Sequence, residues 1–222
     1  MKAWISALLA IVLLLTLCVS LPRRELPAMA QADHGFTLVI DAGHGGFDGG
    51  TTADGVRESD VNLAIALRTE QMAALCGIPV RMIRRDDTAV ASAKAADLQC
   101  RVRLVEQTEH PVLLSIHQNH FAQEKYHGAQ VFYGAGGSKA LAERMQDALR
   151  NALDPSNHRK CKVAENVYLL KNVSCPAVLV ECGFLSNARE RQLLGDETYQ
   201  KKLAAAMISV VAEAGRNESY DI

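Results

Sequence analysis

The chain has 222 residues, with 24 Lys+Arg against 25 Asp+Glu, a formal charge of −1 and 49% apolar residues. That length suits one compact domain and leaves little room for a second. The near-zero charge excludes the basic footprint of a nucleic-acid binder, and the apolar fraction excludes a disordered chain.

The first element is the apolar run 3–21, which holds no charged side chain and is flanked by Lys2 and by Arg23 and Arg24. Two readings of it stand side by side. A secretory signal has a basic start, an apolar stretch and an A-x-A cleavage site, and Ala28, Met29 and Ala30 supply that site. The run also approaches the ~20 residues that cross a bilayer, as an uncleaved anchor would. In both readings residues 1–30 direct the remainder out of the cytoplasm. That remainder carries 21 basic and 24 acidic residues, a mildly acidic domain large enough for its own core. Its five cysteines (Cys76, Cys100, Cys161, Cys175 and Cys182) are odd in number and show no C-x-x-C spacing, which excludes a zinc ribbon and favours free thiols.

Residues 36–41 read as a buried strand stopped by the Gly-rich stretch 43–50. Ser59 or Asp60 caps a predicted helix running to Cys76, with Gly77 as its terminator. Further strands are predicted at 79–83, 112–116, 128–133, 167–170 and 177–181. Further helices are predicted at 92–108, at 138–153 and from Asp196 onward, with Asn187 and Glu190 at capping-box spacing. Strands alternating with helices indicate a single α/β domain: a twisted, mostly parallel sheet of about six strands, with helices on both faces.

In open α/β sheets, sites gather beyond the carboxyl ends of the strands. His44 follows the first strand, His117 ends the third, Glu181 ends the last, and Glu58 precedes the first helix. Each alone has an ordinary reading: a histidine in a Gly-rich turn, or a glutamate favouring a helix dipole. Together, two imidazoles and a carboxylate are the protein ligands of an open catalytic zinc site. We assign His44, Glu58 and His117 as ligands of one Zn2+ and Glu181 as the base that handles the proton of the attacking water. A phosphate cradle at 43–50 is excluded, because the G-K-[ST] ending is missing and Asp48 would repel the anion.

Four motifs carry a family resemblance: Asp41-Ala-Gly-His-Gly-Gly46, Glu58 before Ser-Asp-Val-Asn-Leu-Ala64, Ser115-Ile-His-Gln-Asn119, and Pro176-Ala-Val-Leu-Val-Glu-Cys-Gly-Phe-Leu-Ser-Asn187. They resemble the zinc-dependent N-acetylmuramoyl-L-alanine amidases, in family order from about residue 37 to 213. The resemblance implies a catalytic domain over 36–215 that hydrolyses the amide between the lactyl group of N-acetylmuramic acid and the L-alanine of the stem peptide. It implies the same ligands and the same catalytic glutamate.

The stretch Asp97-Leu-Gln-Cys-Arg-Val-Arg-Leu104 is similar to the sporulation-type members that act on spore cortex. Peptidoglycan is then the substrate, the site of action is the outer membrane face or wall space of a bacterium, and residues 3–21 anchor the chain. An activating protein partner is also expected.

Many relatives have a small residue after the histidine of the third motif, whereas here Gln118 follows it. His120 is therefore a further candidate ligand or, with Asn119, a substrate contact. The long inhibitory helix that division-type members insert at this point has no room between Phe121 and His127. Two alternative functions remain open: a catalytically inactive wall-binding module, and a zinc peptidase cutting within the stem.

Overall fold

The computed structural model describes residues 34–134 and 138–214, so the expected export segment at 1–30 lies outside the described residues. Among the described residues no helix is long and apolar enough to cross a membrane. The chain forms β1 (Thr37–Ala42), the hairpin β2 (Thr52–Ala53) and β3 (Val56–Arg57), α1 (Glu58–Leu75), β4 (Val80–Met82) and α2 (Lys94–Glu106). There follow β5 (Pro111–Asn119), β6 (Gln130–Tyr133), α3 (Ser138–Leu153) and β7 (Lys162–Val163). The last elements are α4 (Tyr168–Asn172), β8 (Ala177–Phe184), α5 (Ala188–Gly195) and α6 (Glu197–Ala214). Six strands build one sheet in the order β4-β1-β5-β8-β6-β7. The run β4-β1-β5-β8 is parallel, and β6 is antiparallel to β8. The expected mostly parallel α/β architecture is the one observed.

Both faces of the sheet are covered, and the period-two alternation of a strand decides which side chain goes where. Leu38, Ile40, Leu114, Ile116, Val178 and Val180 pack with residues of α1, α3 and α6. Val39, Leu113, Ala177 and Leu179 pack on the other face with Val105 of α2 and with Leu169 and Leu170 of α4. By the same alternation Asp41, Ser115, His117 and Glu181 share the α2 face, while Gln118 and Cys182 share the α1 face. Fully burying each large aliphatic side chain contributes roughly 1.5–3 kcal/mol, so the central strands form a firm platform for whatever their ends carry.

Three expectations are corrected. Helix α1 starts at Glu58, earlier than a cap at Ser59 or Asp60 allows; Arg57 is the extended N-cap and uses no side-chain bond. Asp60 is instead engaged by Arg57, whose Nε and Nη2 donate to its carboxylate at 2.9 and 2.6 Å. Residues 167–170 are not a strand: they enter the short helix α4, while the sheet edge is taken by β7. A four-residue apolar run has the same composition in either conformation, and here Leu169 and Leu170 fill the second core from a helix.

The predicted helix at 92–108 is narrower, Lys94–Glu106, with Ala93 as its N-cap. The capping box is half realised. Asn187 Oδ1 accepts from Glu190 N at 3.0 Å, but the Glu190 carboxylate is buried and takes Gly128 N at 2.9 Å and Phe184 N at 2.7 Å. It thus ties the loop before β6 to the end of β8. All five described cysteines are free, Cys175 and Cys182 in the core.

Candidate metal centre

β1, β5 and β8 end side by side at one edge of the sheet, where the chain leaves β1 for the Gly-rich segment. There His44 takes a left-handed φ of 62°. For a non-glycine residue such a backbone costs about 1–3 kcal/mol and persists only where its surroundings hold it. Two buried guanidiniums do so. Arg84 donates from Nε to Ala42 O at 2.8 Å and from Nη2 to Gly43 O at 3.0 Å. Arg101 donates from Nη1 to Ala42 O at 3.1 Å and from Nη2 to His44 O at 2.8 Å. Three successive carbonyls are thereby engaged by cations. Arg101 is itself clamped by Asp41 at 2.6 Å and Asp97 at 2.5 Å, and Ser115 Oγ donates to Asp41 at 2.6 Å.

Glu58, the first residue of α1, is 4% exposed. Its Oε1 lies 3.2 Å from His44 Nε2 and 3.0 Å from His117 Nδ1. Its Oε2 accepts from Thr51 N at 3.0 Å. Burial acts to raise the Glu58 carboxyl, but the hydrogen bonds and charges of His117 and His44 outweigh it and hold the group well below the usual carboxylate range. For His44, burial acts to lower the pKa; Glu58 and then Asp48 overcome that and raise it. Asp48 Oδ2 sits 3.0 Å from His44 Nδ1. That is the arrangement in which a carboxylate fixes the tautomer of a ligating imidazole whose other nitrogen is committed elsewhere.

The donor atoms of His44, Glu58 and His117 all lie within 4.8 Å of one another. A tetrahedral ion with ligand bonds of ~2.0–2.1 Å sets neighbouring donors about 3.3 Å apart, close to the 3.2 and 3.0 Å that separate Glu58 Oε1 from the two imidazoles. The backbone is shaped to the same place. A Cβ on Gly43 would stand 2.2 Å from the His117 ring, and one on Gly50, whose φ is 65°, would stand 2.6 Å from Glu58 Oε2. The residues present therefore fit a divalent ion held by two imidazoles and one carboxylate. Gly43→Ala is expected to displace the His117 ring, leaving a protein with wild-type far-UV circular dichroism and little metal by elemental analysis.

Glu181 stands opposite His117 in the β5–β8 register. Its Oε2 is buried without a hydrogen-bond partner. Burial pushes its carboxyl up to about 7, with Glu58 adding to the rise and His117 and His44 opposing it. The four residues picked out at separate strand and helix ends thus converge. Asn119 and His120 do not join the ligand cluster: Asn119 ends β5 beyond a register shift, and His120 is exposed. Asp48, Asn62, Arg84 and Arg101 escaped the sequence reading as site residues. Asp48, four residues after His44, and Asn62 and Arg101, inside stretches already noted for their family likeness, left a local signal; Arg84 left none.

Residues 38–213 match the family model for N-acetylmuramoyl-L-alanine amidase. The chain is 38% identical over 183 residues to the germination-specific N-acetylmuramoyl-L-alanine amidase of Bacillus subtilis, covering 78% of this chain and 77% of that one. It is similar to the solved structure of the CwlD amidase from Clostridioides difficile in complex with the GerS lipoprotein. The TM-score is 0.76 and the identity 36%, over 81% of this chain and 98% of that one. An N-acetylmuramoyl-L-alanine amidase from Clostridium difficile 630 gives a TM-score of 0.74 at 30% identity, over 84% and 100% of the two chains. The chain belongs to the N-acetylmuramoyl-L-alanine amidase family.

Proposed function

We propose that this chain is a zinc-dependent amidase that cleaves the bond between the lactyl group of N-acetylmuramic acid and the first L-alanine of the stem peptide, with cortex peptidoglycan as its substrate. The observation that carries this reading is the convergence of His44, Glu58 and His117 on one point beside a carboxylate, Glu181, that has no structural partner. A buried unpaired carboxylate is a liability unless it has a chemical task.

A zinc ion held by the two histidines and Glu58 would lower the pKa of a water to about 7 and polarise the carbonyl under attack. The remaining work falls to the protein. Glu181 is placed to take the proton of the attacking water at its free Oε2 and to return it to the departing alanine nitrogen. A carboxyl raised toward neutrality suits both directions of transfer. Asp48 keeps the His44 ring in one tautomer, and the two arginines keep its backbone in place. Asn119, the last residue of β5, and the exposed His120 after it are the residues we read as substrate contacts.

The relatives' names support a site of action in the wall space, reached through residues 3–21 as signal or anchor. The complex of the C. difficile relative with a lipoprotein supports a protein partner here as well. Mass spectrometry of digested peptidoglycan tests the activity. Free lactyl groups with intact stem peptides are expected; shortened stems would mean a peptidase, and an unchanged wall a binding module. His44→Ala and His117→Ala are each expected to lose zinc, measured as metal per protein. Full retention in either would remove that residue from the ligand set.

A further inference from the structure

Asn62 lies on α1 one turn beyond Glu58 and is completely buried. Its Nδ2 donates to Gly43 O at 3.1 Å and approaches Glu58 Oε1 at 3.4 Å. Its Oδ1 accepts from Gln118 Nε2 at 3.1 Å, and the Gln118 backbone N donates to Glu58 Oε1 at 3.2 Å. Gly43 precedes His44, Gln118 follows His117, and Glu58 is on the helix. One buried amide therefore connects all three elements that carry the donor atoms.

Gln118 is only 4% exposed, yet its Oε1 is buried without a partner. An apolar side chain of the same size would avoid that desolvation penalty. The amide donor is what such a residue cannot supply.

We propose that Asn62 and Gln118 are positioning residues for the metal centre. Gln118 holds Asn62 in one rotamer, and Asn62 keeps Gly43 and Glu58 at the spacing an ion requires. The proposal rests on the reading of His44, Glu58 and His117 as ligands. Partners that orient ligands in this way commonly change metal affinity by about 10–100-fold.

The test uses zinc itself as the probe, with chelator competition on the full chain and thermal unfolding in the metal-free and zinc-loaded forms. Asn62→Leu and Gln118→Met are each expected to bind zinc about 10–100-fold more weakly than wild type. The melting-temperature gain on adding zinc should shrink accordingly, since that gain follows the dissociation constant. A purely structural role would lower both melting temperatures together and leave the affinity unchanged, which would overturn the proposal. Should Asn62→Leu not fold, Gln118→Met carries the same comparison alone. His117→Ala is the control. If wild type and His117→Ala bind zinc equally, the ligand reading fails and the positioning proposal with it; if His117→Ala loses zinc while Asn62→Leu and Gln118→Met bind it as wild type does, the positioning proposal alone fails.

Discussion

Glu181→Gln is expected to bind zinc as the wild type does and to hydrolyse peptidoglycan at least about a hundredfold more slowly, within the 10²–10⁴-fold range of general acid–base catalysis. The substitution keeps size and shape and removes only the ability to take up and release a proton. Because Oε2 has no partner and burial has already raised the carboxyl to about 7, the ionised group is disfavoured by its surroundings. Replacing it with a neutral amide therefore should not destabilise the fold, and an unchanged or raised melting temperature is expected. The two measurements together separate chemistry from folding. Near-wild-type turnover in a zinc-loaded Glu181→Gln protein would sink the assignment of this residue as the base.

Arg101→Met is expected to cost about 3–5 kcal/mol of stability, the range for removing one partner of a buried ion pair. Arg101 is 3% exposed and faces Asp41, which is 2% exposed, and Asp97. Methionine can fill much of the volume but leaves two carboxylates without their cation. For a domain of this size each kcal/mol shifts the melting temperature by roughly 2–4 °C, so the fall should be plain in a thermal scan.

Burial acts to raise the Asp41 carboxyl, but Arg101, with help from His117 and Ser115, lowers it below its ordinary value of 3.8. A carboxylate lowered in the folded state contributes stability that is present above its unfolded pKa and lost as the pH falls through the folded one. The wild type should therefore keep this contribution at neutral pH and lose it in acid below about pH 4, whereas Arg101→Met lacks it at every pH. A variant as stable as wild type at pH 7 would overturn the view that this pair holds the β1 end together. The same substitution releases His44 O and leaves Ala42 O to Arg84 alone, so residual folded protein is also expected to hold metal less well.

These expectations meet at one point: the left-handed backbone of His44. Strain there is maintained by Arg84 and Arg101 from one side and by Asn62, through Gly43 O, from another. Preorganisation of this kind keeps donor atoms in place before any ion arrives.

The fold class, most of the strands and helices, and the nomination of His44, Glu58, His117 and Glu181 came from residue order, whereas the hairpin β2–β3, the edge strand β7 and the helix at 168–172 did not. Buried strands appear as short apolar runs, helix ends carry local signals such as Gly77 and Asp196, and His44, His117 and Glu181 stand where strands end. These are contiguous patterns, and contiguous patterns reflect local geometry. The residues missed are of another kind. Arg101 reaches Asp41 across 60 positions and His44 across 57, Arg84 reaches Gly43 across 41, and Gln118 reaches Asn62 across 56. No periodicity encodes such pairs.

The strand expected at 167–170 failed for the same reason, since the composition permits both conformations and the second core selected the helix. Glu58 shows the division most clearly. Its place before a helix is readable in the chain, where taken alone it reads as an exposed glutamate favouring the helix dipole. Its burial between two imidazoles was decided only when β1, β5 and α1 packed together, because the local sequence sets which conformations are available and long-range packing sets which charges must face one another.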